Sequence, residues 1–187
     1  PRTSNRQPPP GESRQPIADS QQAPRFQYQR AKPPRTLSTP RELLVVCAPL
    51  RSSVNLSRIV RAASCCGLER IICCEKTRLD RRIARDGADA IKIETHRTLA
   101  PVLKELRQQD YRLVGLEQTT NSTDIHQYQF VPKTALVVGN ERTGLTPELL
   151  ALLDEVVEIP VWGMPYSYNV ATATAMALYE YCRQWPD

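Results

Sequence analysis

Two short stretches carry the residue types from which a ligand site is built. One is Gly139-Asn140-Glu141-Arg142-Thr143-Gly144, which follows the apolar run Ala135–Val138. The other is Trp162-Gly163-Met164-Pro165-Tyr166-Ser167-Tyr168-Asn169, which follows Ile159-Pro160-Val161. Each apolar run stops at backbone-permissive or polar residues and then hands over to a helical pattern. Loops at the ends of buried strands are where α/β proteins hold ligands, and two such ends close in sequence suggest one shared site. The first loop lacks the G-K-[ST] ending of a phosphate loop and the spacing of a dinucleotide fingerprint. No Ser-His-Asp arrangement is present, and His96 and His126 stand in polar surroundings that read as surface. The six cysteines form no C-x-x-C pair, so no metal site is expected. They read as reduced, mostly buried thiols of a cytoplasmic protein.

The elements that must position these loops follow from hydrophobic period. Leu43–Ala48, Arg70–Cys74, Arg112–Leu116, Thr134–Val138 and Val156–Ile159 are short, β-branched or apolar runs that predict buried strands. Ala90–Ile93 predicts a shorter one. Leu56, Ile59, Val60, Ala63 and Cys66 recur at helical spacing, and Gly67 ends that helix. Leu99–Gln109 and Asn169–Arg183 predict two further helices. Thr146-Pro147-Glu148 opens another, with a cap residue and proline at its first turn. Asp80–Arg85 reads as a basic short helix or loop, and Glu117–Tyr128 as a polar loop. Strands alternating with helices predict an α/β fold with a mostly parallel sheet and helices on both faces.

Composition sets the outer limits. The chain has 187 residues and a formal net charge of +5. Residues 1–40 hold nine of the sixteen prolines, seven basic and two acidic residues, and few aliphatics. Such a segment buries too little apolar surface to fold, so 1–40 is expected to be a disordered basic tail and 41–187 the folded domain. The tail reads equally as a passive linker or as a source of sequence-independent affinity for nucleic acid. Residues 41–112 carry fifteen basic and nine acidic residues, whereas 113–187 carry three and nine. The first half is therefore the plausible polyanion-facing part; a solvated arginine-rich surface is the other reading. No apolar run approaches the length of a membrane span, and the polar N-terminal residues do not read as a secretory signal.

Three segments together resemble the TrmH branch of the SPOUT superfamily, the RNA ribose 2′-O-methyltransferases with a trefoil-knotted core. They are Asn55-Leu56-Ser57-Arg58-Ile59-Val60-Arg61-Ala62-Ala63, then Gly139 to Leu145, then Ile159 to Met164 with Ser167-Tyr168-Asn169-Val170. The resemblance covers about residues 41–185. It implies a C-terminal deep trefoil knot and bent S-adenosyl-L-methionine held by Leu116, Gly139, Asn140, Gly144, Ile159, Met164, Ser167, Tyr168 and Asn169, mainly through backbone groups. It further implies a homodimer through the knot and last helix, with RNA as substrate. Gly115-Leu116-Glu117-Gln118-Thr119 and Gly139–Arg142 look closest to the tRNA guanosine branch. An rRNA substrate, or an RNA-binding scaffold that has lost catalysis, are the alternatives. Tyr168 stands where the family usually has Leu.

In that reading the sulfonium makes the methyl group electrophilic, and the protein aligns the 2′-hydroxyl and helps to remove its proton. The family's catalytic positions fall on Arg61, Asn55, Glu141, Ser167 and Asn169. An arginine is a poor base, so Arg61 is better suited to anchoring phosphate or stabilising the developing oxyanion. Asn55 would hydrogen-bond substrate or fix Arg61, or else cap its helix. Glu141 would orient neighbouring donors, or act as a turn carboxylate. Ser167 and Asn169 would position Arg61, cofactor or ribose, and capping of the last helix is compatible with that.

Overall fold

Leu44–Cys47 (β1) and Thr134–Val138 (β6) are buried along their whole length, as strands covered on both faces must be. They are neighbours in the sheet, with Leu44 beside Ala135 and Cys47 beside Val138. The remaining strands are Arg70–Cys74 (β2), Lys92–His96 (β3), Arg112–Leu116 (β4), Thr123–Asp124 (β5) and Glu155–Glu158 (β7). In this computed structural model, which describes residues 26–29, 32–75 and 78–187, the seven form one sheet in the order β3-β2-β1-β6-β4-β7-β5. Every pairing is parallel, so all the strands present their carboxyl ends to the same edge.

Helices cover both faces. Ser53–Cys65 (α1) and Val170–Gln184 (α6) pack together on one face. There Leu56, Ile59 and Val60 meet Val45, Leu136 and Val138, together with Ala177, Leu178 and Tyr181 of α6. Ala100–Gln108 (α4) covers the opposite face, where Val102, Leu103 and Leu106 meet Leu44, Val46, Leu113 and Val137. Each fully buried Leu or Ile adds about 1.5–3 kcal/mol relative to an exposed one, and alternate residues of the same strand supply the two cores. Pro147–Leu150 (α5) sits beside the second core, with Thr146 as its cap.

Local signals account for the helix limits. The Ser52 hydroxyl accepts from the Asn55 N–H and starts α1. Gly67, with φ +76°, follows its end. Between β2 and β3 come two one-turn helices, Arg81–Ala84 (α2) and Gly87–Ala90 (α3), both packed on α1.

The chain divides into two units, 1–35 and 36–187. Of the segment expected to be a tail, residues 1–25, 30 and 31 lie outside the described residues, and 26–29 and 32–35 carry no helix or strand. The second unit takes in 36–40, and there the Ser38 N–H donates to the Asp187 carboxylate at 2.8 Å. Among the described residues no helix is long and apolar enough to cross a membrane.

Several details differ from the sequence reading, among them the unexpected α3 and a β7 that starts and ends one residue earlier than Val156–Ile159. β3 begins at Lys92 rather than Ala90, because Ala90 completes α3. The segment 117–128 contains β5, and its Ile125 and Tyr128 are buried. Of the thiols, Cys47, Cys73 and Cys74 are buried, while Cys66 and Cys182 are half-buried and Cys65 is exposed.

Candidate active site

The carboxyl ends of β6, β4 and β7 open into a cleft of about 720 Å³, within the range of small-molecule sites. Its walls come from the strand ends Leu116 to Thr119, Val138 to Leu145, and Glu158, Ile159 and Val161, closed by Ser167 to Val170 at the start of α6.

The wall after β6 is built to one shape. Asn140 and Gly144 exchange two backbone hydrogen bonds, at 3.0 and 2.9 Å. The Asn140 side chain accepts from the N–H groups of Arg142 and Thr143, and its amide donates to the Pro49 carbonyl. A Cβ on Gly139 would lie 2.5 Å from the Gly144 carbonyl carbon and 2.7 Å from the Leu145 nitrogen. Only glycine lets the two arms of the loop close that tightly. Gly144 has φ +65°, a region that favours glycine. The Glu117 carboxylate accepts from the Leu145 N–H at 2.9 Å and ties this loop to the end of β4.

Glu141 joins the loop to α1. Its carboxylate accepts from the N–H groups of Arg51 and Ser52 and from the Asn55 amide, each at 3.0 Å. Burial pushes this carboxyl up, but the bonds from Arg51, Asn55 and Ser52 outweigh it and hold it below the usual carboxylate range. Asn55 is buried, and its oxygen accepts from the Asn169 amide at 3.1 Å. The Asn169 oxygen caps α6 by accepting from the Ala171 and Thr172 N–H groups. One network, Glu141–Asn55–Asn169, therefore links the three segments that stood out in the sequence.

The structure brings Leu116, Gly139, Asn140, Glu141, Gly144, Ile159, Ser167, Tyr168 and Asn169 to the cleft. Asn55 sits behind the wall and touches the site through its two partners. Two expected residues stand elsewhere. Met164 is 73% exposed and outside the cleft, because the loop carries it outward. Arg61 lies on the exposed side of α1, outside the cleft walls; it is nearly two helical turns beyond Asn55, about 9 Å of rise.

Sequence reasoning passed over Glu117, Arg142 and Glu158, which also line the cleft. Glu158 accepts from the Ser122 hydroxyl at 2.7 Å. The available signal was the place of Glu117 directly after β4, of Glu158 at the end of β7 and of Arg142 in the loop that follows β6. Three carboxylates against one guanidinium make the lining net acidic, which suits a cationic ligand. Among the described residues no group of three or more His, Cys, Asp or Glu could hold a metal ion.

Comparison with known proteins gives this architecture relatives. The chain is 30% identical over 146 residues to the tRNA (guanosine(18)-2'-O)-methyltransferase of Escherichia coli K12; the match covers 76% of this chain and 64% of the relative. Its fold matches the crystal structure of the Aquifex aeolicus TrmH/SpoU tRNA modifying enzyme with a TM-score of 0.74 and 27% identity, over 78% of this chain and 76% of the other. It also matches an AdoMet-bound rRNA methyltransferase from Sinorhizobium meliloti, at TM-score 0.65 and 27% identity, over 75% of this chain and 56% of that one. Residues 42–179, which contain every residue that walls the cleft, match the SpoU rRNA Methylase family, and the chain belongs to that family.

Proposed function

We propose that this protein transfers a methyl group from S-adenosyl-L-methionine to a ribose 2′-hydroxyl of RNA, with a guanosine of tRNA as first candidate and rRNA as second. The observation that carries the reading is the Glu141–Asn55–Asn169 network at the rim of an acidic cleft. The cleft's size, its glycine-permitted strand ends and its carboxylates fit the cofactor. Leu116, Gly139, Ile159 and Tyr168 would hold the adenine through backbone groups at the strand ends, with Asn140, Gly144, Ser167 and Asn169 around them. When bound, the cofactor supplies an electrophilic methyl group on a sulfonium.

The chain's own residues then have separable tasks. The Asn140–Gly144 ladder and Glu117 fix the floor before any ligand arrives, so little reorganisation is needed on binding. Glu141 and Asn55 hold the start of α1 against this floor, and Asn169 sets the start of α6. Arg61 projects from α1 towards solvent, where an RNA phosphate would meet it, and anchors the ribose by its phosphate rather than by taking the hydroxyl proton. Methyl transfer would form the O–CH₃ bond, break the S–CH₃ bond and release the hydroxyl proton to water or to an RNA phosphate.

The same proposal includes a homodimer, the knotted threading of the C-terminal segment and a cytoplasmic location. Met176 and Tyr179 on the outer side of α6, with Trp162 in the loop after β7, are exposed and support a covering partner. The insertion of β6 between β1 and β4, with β7 beyond β4, is compatible with the threading. Calorimetry with S-adenosylmethionine and transfer of a tritiated methyl group to unmodified tRNA and rRNA transcripts test the reading. Heat of binding and label in a 2′-O-methylguanosine are the expected results; no binding at millimolar cofactor overturns it. Light scattering tests the dimer.

A further inference from the structure

The segment from Asp80, the cap of α2, to Gly87, the first residue of α3, is laid alongside α1 by two contacts. The Asp80 N–H donates to the buried Ser57 hydroxyl at 2.8 Å. A Cβ on Gly87 would stand 3.0 Å from Ser64 Cβ and 3.4 Å from Arg61 Cα, so the chain there is pressed directly on α1. Residues 80–87 therefore run beside α1 from Ser57 towards Arg61 and Ser64.

This arrangement gathers exposed arginines from both elements. Arg58 and Arg61 lie on the outer side of α1, and Arg78, Arg81, Arg82 and Arg85 surround α2. Arg81 pairs with Asp89, and Arg82 with Asp80 at 3.2 Å; such exposed pairs hold little energy and leave donors open. The guanidinium groups of Arg58, Arg61, Arg78 and Arg85 have no hydrogen-bond or ion-pair partner among the described residues. Arg58 and Arg61 are three residues apart on one helix, with Cβ atoms about 5–6 Å from each other. That spacing suits successive phosphates on one strand. The row begins one turn after Asn55, the residue that links the cleft walls, and leads away from the cleft.

We propose that this face, centred on Arg58, Arg61, Arg82 and Arg85, is the track that holds the RNA backbone flanking the nucleotide at the cleft. The inference rests on the RNA reading above and names the surface that reading leaves open. Polyanion binding is favoured over an acidic protein partner because the face is arginine-dense, is continuous with the site and, among its described residues, shows only Val54 as an exposed large apolar side chain.

The test uses the full chain and a fluorescein-labelled unmodified tRNA transcript, with anisotropy titrations from 50 to 300 mM KCl. Arg58→Glu/Arg85→Glu is expected to weaken binding at least tenfold and to flatten the plot of log K against log salt by about 0.7–0.9 per lost phosphate contact. Arg58→Lys/Arg85→Lys should keep the slope. Lys104→Glu, on α4 across the sheet, should match wild type, and circular dichroism and S-adenosylmethionine calorimetry establish that each variant is folded. Wild-type affinity and slope in the double Glu variant overturn the track. So does a loss of affinity with no change of slope, or a loss equalled by Lys104→Glu. Should wild type bind S-adenosylmethionine but no RNA, the track fails while the cofactor reading stands. Should it bind RNA through this face but not the cofactor, the track stands and the cofactor reading fails.

Discussion

The two loops that wall the cleft are made in opposite ways. Gly139–Leu145 is held by a two-bond ladder and an asparagine that serves three partners, both its own, and is tied to its neighbours by the carboxylates of Glu141 and of Glu117 after β4. Pro160–Tyr168 turns Trp162, Met164 and Tyr166 to solvent, at 83, 73 and 75% exposure. Gln118 reaches its Tyr166 carbonyl at 3.2 Å, and no ladder comparable to that of the first loop is present among the described residues. The first loop has a shape before anything binds. The second has few contacts to lose, which places it at the low-stability end of the fold, where ligands and partners do the ordering.

Substitutions separate the two loops by size of effect. Gly139→Ala drives a methyl group into backbone atoms at 2.5 and 2.7 Å and should cost about 3–4 kcal/mol, read from the midpoint of urea unfolding. A cost under about 1 kcal/mol would show that the first loop is as yielding as the second. Glu141→Ala strips acceptors from two N–H groups and an amide and should cost about 2 kcal/mol, with Glu141→Gln intermediate.

Acid exposes the same carboxylate. Its folded value lies below the ordinary one, so its contribution is complete above the usual carboxylate range. It fades as pH falls from that range through the lower folded value. The stability gap between wild type and Glu141→Gln, measured by urea titration from pH 7 to 3, should therefore narrow on acidification. Asn169→Ala removes the α6 cap and should cost about 1 kcal/mol, detectable as a lower melting temperature. Trp162→Ala and Tyr166→Ala should change monomer stability by less than about 0.5 kcal/mol while altering cofactor affinity or the elution volume. A large loss of stability there would erase the contrast.

Much of this frame is legible in the sequence because its signals are local. The strands β1, β2, β4 and β6 are short apolar runs, and their limits agree within a residue with the expected ones. Asn169 reads as a cap and is one. The glycines at 139 and 144 read as a tight loop and form one. What escaped depends on distant contacts. β5 is two polar residues that become a strand by pairing with Val157 and Glu158. α3 contains a glycine and an aspartate, poor helix formers, and exists because Gly87 fits against α1. Glu117 gains its role from a nitrogen 28 residues away. Arg61 shows the limit from the other side: its place on α1 follows from periodicity, but which surface that helix face meets does not.

The ends of the second unit have a consequence of their own. The Ser38 nitrogen meets the Asp187 side chain, and the Arg41 guanidinium reaches the Trp185 carbonyl. Residues 38 and 187 of this unit are thus neighbours, the kind of proximity that lets a circular permutation be tolerated. A short peptide bridge from 187 to 38 would turn residues 38–187 into a ring without moving either residue. Such a ring stays closed in the denatured state, which therefore has less conformational freedom to lose on folding. Comparing its refolding rate with that of the linear chain would measure how much of the folding search is spent bringing residues 38 and 187 together.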